Sequence, residues 1–209
     1  MRLGAALGRF WILGGHFNEG WIFLERALAE SQGVMVSIRA KALIAAVWLA
    51  LNRDDIDLAE TLCEESLALS RELSDKEGIA DTLYGLGHVA MRRGDLDVAC
   101  VLVEEAVSLS REMGDRWRIA SGIHDLAWVR LERGEYARAR AMYEECLVVF
   151  RELGDKFGIA ANAAEFLWRR SELPSGTSAF CVQRAHSFRH PPQPSLPRNF
   201  YPRHSSRLP

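Results

Sequence analysis

Ser110-Arg-Glu-Met-Gly-Asp-Arg116 stands 40 residues after Ser70-Arg-Glu-Leu-Ser-Asp-Lys76 and 40 residues before Phe150-Arg-Glu-Leu-Gly-Asp-Lys156. After each of them the chain resumes in the same way, with Gly78-Ile-Ala80, Arg118-Ile-Ala120 or Gly158-Ile-Ala160. Ser37–Lys76, Glu77–Arg116 and Trp117–Lys156 are thus three blocks of one period. A unit of this length is too small to bury its own apolar face and must bury it on its neighbours, so a fixed period marks a solenoid.

Inside each block the apolar residues recur at three- and four-residue spacing, as in Ile79, Ala80, Leu83, Leu86, Gly87 and Ala90, which makes a helical stripe. A break follows at Asn52-Arg-Asp-Asp55, Arg93-Gly-Asp95 and Arg133-Gly-Glu135. Glycine there permits a tight turn, and the acid suits the N-terminus of the next helix. Second helices are predicted over Ile56–Leu73, Leu96–Met113 and Tyr136–Leu153. Each block is therefore a helix hairpin. Leu3–Gln32 reads as an earlier, shorter copy, with Gly15-His-Phe17 in place of Gly94-Asp-Leu96. A fifth hairpin opens at Phe157 and keeps register to Trp168, after which Arg169 and Arg170 fall on apolar columns. The expected fold is all-α: a right-handed α-solenoid of antiparallel helix hairpins, about four and a half repeats, over residues 1–170.

Beyond this point the composition changes. Residues 171–209 hold all seven prolines, five arginines, three of the six histidines and one acid. Such a Pro/Arg/Ser-rich segment buries too little apolar surface to offset its ordering entropy, so a disordered tail is expected. No polar capping helix is visible before it, and the chain reads as a fragment of a longer protein, with a tail that is an unrelated extension or a frame-shifted end. The last repeat then exposes Ile159, Ala163 and Phe166, and self-association through that end is expected.

Removing the tail leaves 21 basic against 27 acidic side chains, which disfavours nucleic acid as a partner of the body. Cys63, Cys100 and Cys146 fall on helical apolar positions, and with Cys181 they show no C-x-x-C spacing. Reduced thiols and a cytoplasmic setting are expected. No stretch has the length of apolar sequence that a membrane span requires. No G-x-x-x-x-G-K-[ST], H-E-x-x-H or G-x-S-x-G occurs, and His16, His88 and His124 are far apart in sequence without an acid or thiol at metal-ligand spacing. The paired acids Glu64-Glu65, Glu104-Glu105 and Glu144-Glu145 follow the repeat and mark helix faces toward water. No catalytic, cofactor or metal site is expected.

Leu83, Leu86-Gly87, Ala90, Gly94, Ala99, Val103 and Ala106 together resemble the tetratricopeptide repeat, in which small residues stand where paired helices cross closely. Ile123, Leu126-Ala127, Gly134, Ala139, Tyr143 and Cys146 repeat the pattern. The resemblance covers about residues 3–168, although the usual unit is about 34 residues and carries a proline near its end that is absent here. Units ending Leu-Gly-Asp-Lys before Gly-Ile-Ala look like the sensor regions of large bacterial signal-transduction ATPases and transcriptional regulators. Eukaryotic polarity adaptors, which grip peptides in a superhelical groove, also have long units.

The resemblance implies that first helices line a concave groove. Trp48, His88, Trp128 and Trp168 lie 40 residues apart on those helices, and Tyr84 and His124 sit one turn before His88 and Trp128. With Arg92 they form a candidate partner-binding stripe of Trp48, Tyr84, His88, Arg92, His124 and Trp128, suited to stacking on a peptide or on Pro and Arg side chains. The competing reading is that the indoles are ordinary packing between repeats. The function expected is a non-catalytic protein-protein interaction scaffold, part of a bacterial signalling or transcriptional regulator, binding a protein or peptide segment. A free-standing adaptor and the sensor part of a larger ATPase are the alternatives.

Overall fold

The computed structural model describes residues 7–8, 10–12, 14–30 and 35–170, with side chains as far as residue 163. Residues 171–209, on which the tail is expected, lie outside the described residues, as do the side chains of Phe166 and Trp168. After a short helical stretch within residues 7–12, the chain forms α1 (Phe17–Ala29), α2 (Val36–Asn52), α3 (Ile56–Glu72), α4 (Lys76–Arg93), α5 (Leu96–Met113), α6 (Arg116–Glu132), α7 (Tyr136–Glu152) and α8 (Lys156–Arg170). The described residues form no strand, and no helix among them is long and apolar enough to cross a membrane. Helix pairs α2 with α3, α4 with α5 and α6 with α7 are hairpins, each packed on the next, and α2 also lies against α4. This is the expected α-solenoid, and the predicted second helices agree with α3, α5 and α7 to within one residue.

The two helices of a hairpin are buried differently. Nine residues of α2 and nine of α6 are buried, spread around much of each helix, whereas α3 buries five and α7 four along a single stripe. First helices are thus sandwiched between neighbours, and second helices keep one face toward water, as their charged positions require.

Close crossing depends on missing side chains. A Cβ on Gly87 would stand 2.5 Å from Cγ2 of Val103 in its own hairpin, and one on Gly122 would stand 2.3 Å from Cγ2 of Val107 in the preceding hairpin. Val103 is fully buried in the gap. Between the first two complete hairpins a polar pair replaces apolar contact: Ser66 Oγ and Thr82 Oγ1 lie 3.0 Å apart, and Thr82 donates to the Gly78 carbonyl at 2.8 Å. Both hydroxyls are buried, and each has a partner, so neither leaves an uncompensated polar group.

The turns follow the expected chemistry with two corrections. Gly94, Gly114, Gly134 and Gly154 all adopt left-handed backbone, and Asp54 and Ser74 take the same conformation in the first complete repeat without being glycine. Asp55, Asp75 and Asp115 cap the following helices by accepting from Leu58, Gly78 and Arg118 N–H groups. Asp95 and Glu135, expected to act alike, make no side-chain cap bond. Asp97, two residues further on in the first turn, pairs instead with Arg133, while Glu135 pairs with Arg130 and Arg138.

Cys63, Cys100 and Cys146 are buried free thiols, as their apolar positions predict, and burial pushes Cys63 and Cys146 up to about 12. Ile159, expected to be exposed at the last hairpin, is half-buried against the cluster of Ala120, Ile123, Cys146 and Phe150.

Substitution of Gly122 by Val should cost about 1–3 kcal/mol in urea unfolding through overpacking, and Val107→Ala in the same chain should recover most of it. Gly94→Ala, where a Cβ would meet nothing but φ is +83°, should cost about 1–2 kcal/mol with no such suppressor.

Candidate functional site

Successive first helices bring the repeat-spaced aromatic residues side by side. Trp48 on α2 meets two residues of α4: its ring lies 5.6 Å from Tyr84 and 4.9 Å from His88, the latter edge-on. Tyr84 and His88, one turn apart on α4, also meet edge-on at 4.9 Å. The three rings lock together because equivalent positions of stacked helices fall in one column, and edge-to-face contact suits the charge distribution of aromatic rings. All three are half-buried. Trp48 also packs against the first core cluster, so each ring has one side committed to packing and part of its surface toward water.

The stripe continues onto α6 through a residue that the spacing argument passed over. Asp125 is buried, and its carboxylate lies between two imidazoles: Oδ2 is 2.7 Å from Nε2 of His88, and Oδ1 is 3.2 Å from Nδ1 of His124. The first pair of atoms is in close contact without the alignment of a hydrogen bond. Burial alone would push the Asp125 carboxyl up, but the electrostatic attraction of His88 and His124 outweighs it and holds the group well below the usual carboxylate range. Tyr84 responds in the opposite sense: burial, and then the Asp125 charge, raise its phenol well above its ordinary value. Its hydroxyl donates to the Ser121 carbonyl at 3.5 Å. His124 is further covered by an edge-on contact with Tyr143 of α7 at 5.2 Å.

Two histidines that are far apart in sequence thus share one acid in space. His88 and His124 are 36 residues apart in sequence, and only the stacking of α4 on α6 lets them share Asp125. A sequence signal did exist: the column of Asp125 is filled by Ala45 and Gly85 in the preceding repeats. A carboxylate at a small-residue position needs a compensating partner in space. No group of three metal-binding side chains suited to hold an ion occurs among the described residues.

The remaining stripe residues divide. Arg92 forms an ion pair with Asp54 in the turn of the preceding hairpin. Asn52, below Trp48, donates to the Trp48 carbonyl at 2.7 Å. Trp128 is half-buried and stands apart from the Trp48–Tyr84–His88 rings, packing with Met142 against the clusters that contain Val129 and Tyr143.

Residues 78–152 match the model of the tetratricopeptide repeat. No curated protein matches the chain. Among solved structures, the Rap protein complexed with Competence and Sporulation Factor aligns with a TM-score of 0.68 at 16% identity, over 80% of this chain and 48% of that one. BtubC (BKLC) from P. vanneervenii aligns at 0.60 and 21% identity, over 75% and 67%. A Podosopora anserina protein described as a kinesin light chain with nearly identical TPR-like repeats aligns at 0.57 and 17% identity, over 82% and 88%. The chain thus spans about half the length of the Rap protein. Its repeats are tetratricopeptide-like, and these structures share the fold.

Replacing Asp125 by Asn should destabilise the chain by about 1–3 kcal/mol at pH 7, since two imidazoles lose the carboxylate they share. Because the folded carboxyl is held low, its contribution is present above the unfolded value near 4 and is lost as pH falls below it. Urea unfolding from pH 7 to pH 3 should therefore show the gap between wild type and D125N closing on the acid side.

Proposed function

We propose that this tetratricopeptide-like array is a non-catalytic protein-interaction scaffold that binds an extended or helical segment of another protein along the Trp48–Trp128 face of its first helices. The observation that carries this reading is the half-buried ring network of Trp48, Tyr84 and His88, continued by Asp125 to His124. Packing holds one side of the rings rigid, so a partner that covers the other side would lose little conformational entropy in the receptor. Trp and Tyr combine large contact area with a polar edge, which is why such residues dominate binding energy at interfaces. His88, His124 and Arg92 add hydrogen-bonding and charge contacts at the edges of the ring network.

The natural setting that fits best is a cytoplasmic signalling or transcriptional regulator of bacterial type. The repeat ends in Leu-Gly-Asp-Lys support it, as does the shared fold with a Rap protein that was solved with its factor bound. In such a protein the array would sense a partner, and any enzymatic step would lie in other domains. A free-standing peptide-binding adaptor is the second reading, favoured by the shared fold with the Podosopora anserina repeat protein.

Selection of peptides displayed on phage against the immobilised chain, followed by titration of a selected peptide using Trp fluorescence, tests the proposal. Trp48→Ala, Trp128→Ala and His88→Ala should each weaken binding about tenfold or more, as truncation of central aromatic anchors does. Val101→Glu, on an exposed position of α5, should leave binding unchanged. Peptides insensitive to all three groove substitutions would refute the proposal, provided circular dichroism shows that the variants are folded.

A further inference from the structure

The most strongly repeated segments of the chain are also among its most exposed. Arg71–Glu77, Arg111–Trp117 and Arg151–Phe157 form the turns from one hairpin to the next, along one rim. Their Asp and their Gly or Ser are explained by helix capping and left-handed backbone. Their apolar residues are not explained in that way. Leu73, Met113, Trp117, Leu153 and Phe157 remain between 36% and 52% exposed, in columns that repeat along the rim. Trp117 is held across a seam, its Nε1 donating to Asp155 Oδ2 at 2.6 Å, so the apolar surface runs on from one turn to the next.

Four charges of the same rim pair across its seams. Lys76 Nζ lies 2.8 Å from Glu112 Oε2 across one seam, and Arg116 pairs with Glu152 across the following seam. These contacts fix the order along the rim: Leu73 and Lys76, then Glu112 and Met113, then Arg116 and Trp117, then Glu152 and Leu153. Such a row is complementary to its own reverse. With a two-fold axis at the turn between Met113 and Arg116, Lys76 faces Glu152 of the second copy, Glu112 faces Arg116, Leu73 faces Leu153, and Met113 faces Trp117. Among these eight residues each cation meets an anion and each apolar residue meets an apolar one, as an isologous interface requires.

We propose that this rim is a self-association surface on which a second copy of the chain docks antiparallel about the Met113–Arg116 turn. It is a different surface from the ring network and leaves that network open, so the proposal does not rest on peptide binding.

Sedimentation velocity of the full chain at about 100 µM should show a dimer, because a dissociation constant in the micromolar range leaves little monomer at that concentration. Glu112→Arg and Arg116→Glu, each counted twice in a two-fold dimer, should each weaken association about tenfold or more by placing like charges opposite one another. The double variant E112R/R116E decides between contacts within and between copies. It leaves both internal seams, with Lys76 and with Glu152, facing like charges, yet it restores opposite charges across the two-fold axis. Recovery of the dimer in the double variant supports the proposal. A wild-type monomer at 100 µM, single variants that associate normally, or a double variant weaker than either single one would overturn it. Helical circular dichroism in all three variants guards against loss of fold.

Discussion

The structure depends on how closely two helices can approach when one of them presents glycine. Gly87 and Gly122 leave gaps that Val103 and Val107 fill at distances a Cβ would not allow. One contact closes a hairpin and the other joins hairpin to hairpin, so the same device sets both internal spacing and stacking. Overpacking at such a point would force α4 or α6 away from its neighbour. The consequence would reach the ring network, because Tyr84 and His88 lie on α4 and His124 and Asp125 lie on α6.

From this spacing follows the electrostatic arrangement of the candidate site. Asp125 is tolerated at a buried position only because the neighbouring repeat delivers His88 to its second oxygen. A buried carboxylate left alone would be costly, whereas one held by two imidazoles fixes their orientation and their distance from Tyr84. The preceding repeats solve the same position with Gly85 and Ala45 and need no such compensation. The junction between α4 and α6 thus carries a buried carboxylate, where the junction before it carries the neutral Ser66–Thr82 pair. The partner-binding reading draws on this asymmetry, which sets a charged, ring-walled patch along otherwise similar helices.

The rims show a second division of labour. Arg93 with Asp57 and Glu60, Arg133 with Asp97, Lys76 with Glu112, and Arg116 with Glu152 tie each hairpin to its neighbour at the repeat period. At solvent-exposed positions such pairs add little individually, about 0–1 kcal/mol each. Their value lies in register, since each cation finds its anion only when the hairpins stack in the observed order.

Helix boundaries, hairpin pairing and the burial of Cys63, Cys100 and Cys146 were all legible in the residues, because each depends on local periodicity repeated at a fixed interval. Legible too was the alignment of Trp48 with His88, since equal positions in stacked units must neighbour one another. The sequence by itself therefore determined the solenoid and the columns along it. It could not show that Asp125 joins His88 to His124, that Arg92 turns to Asp54, or that Trp128 leaves the ring network for the α6–α7 core. Those outcomes depend on side-chain contacts between residues distant in the chain and on competition among partners within a few ångströms. Periodicity names the column in which a residue stands, and only tertiary packing decides which neighbour it meets there.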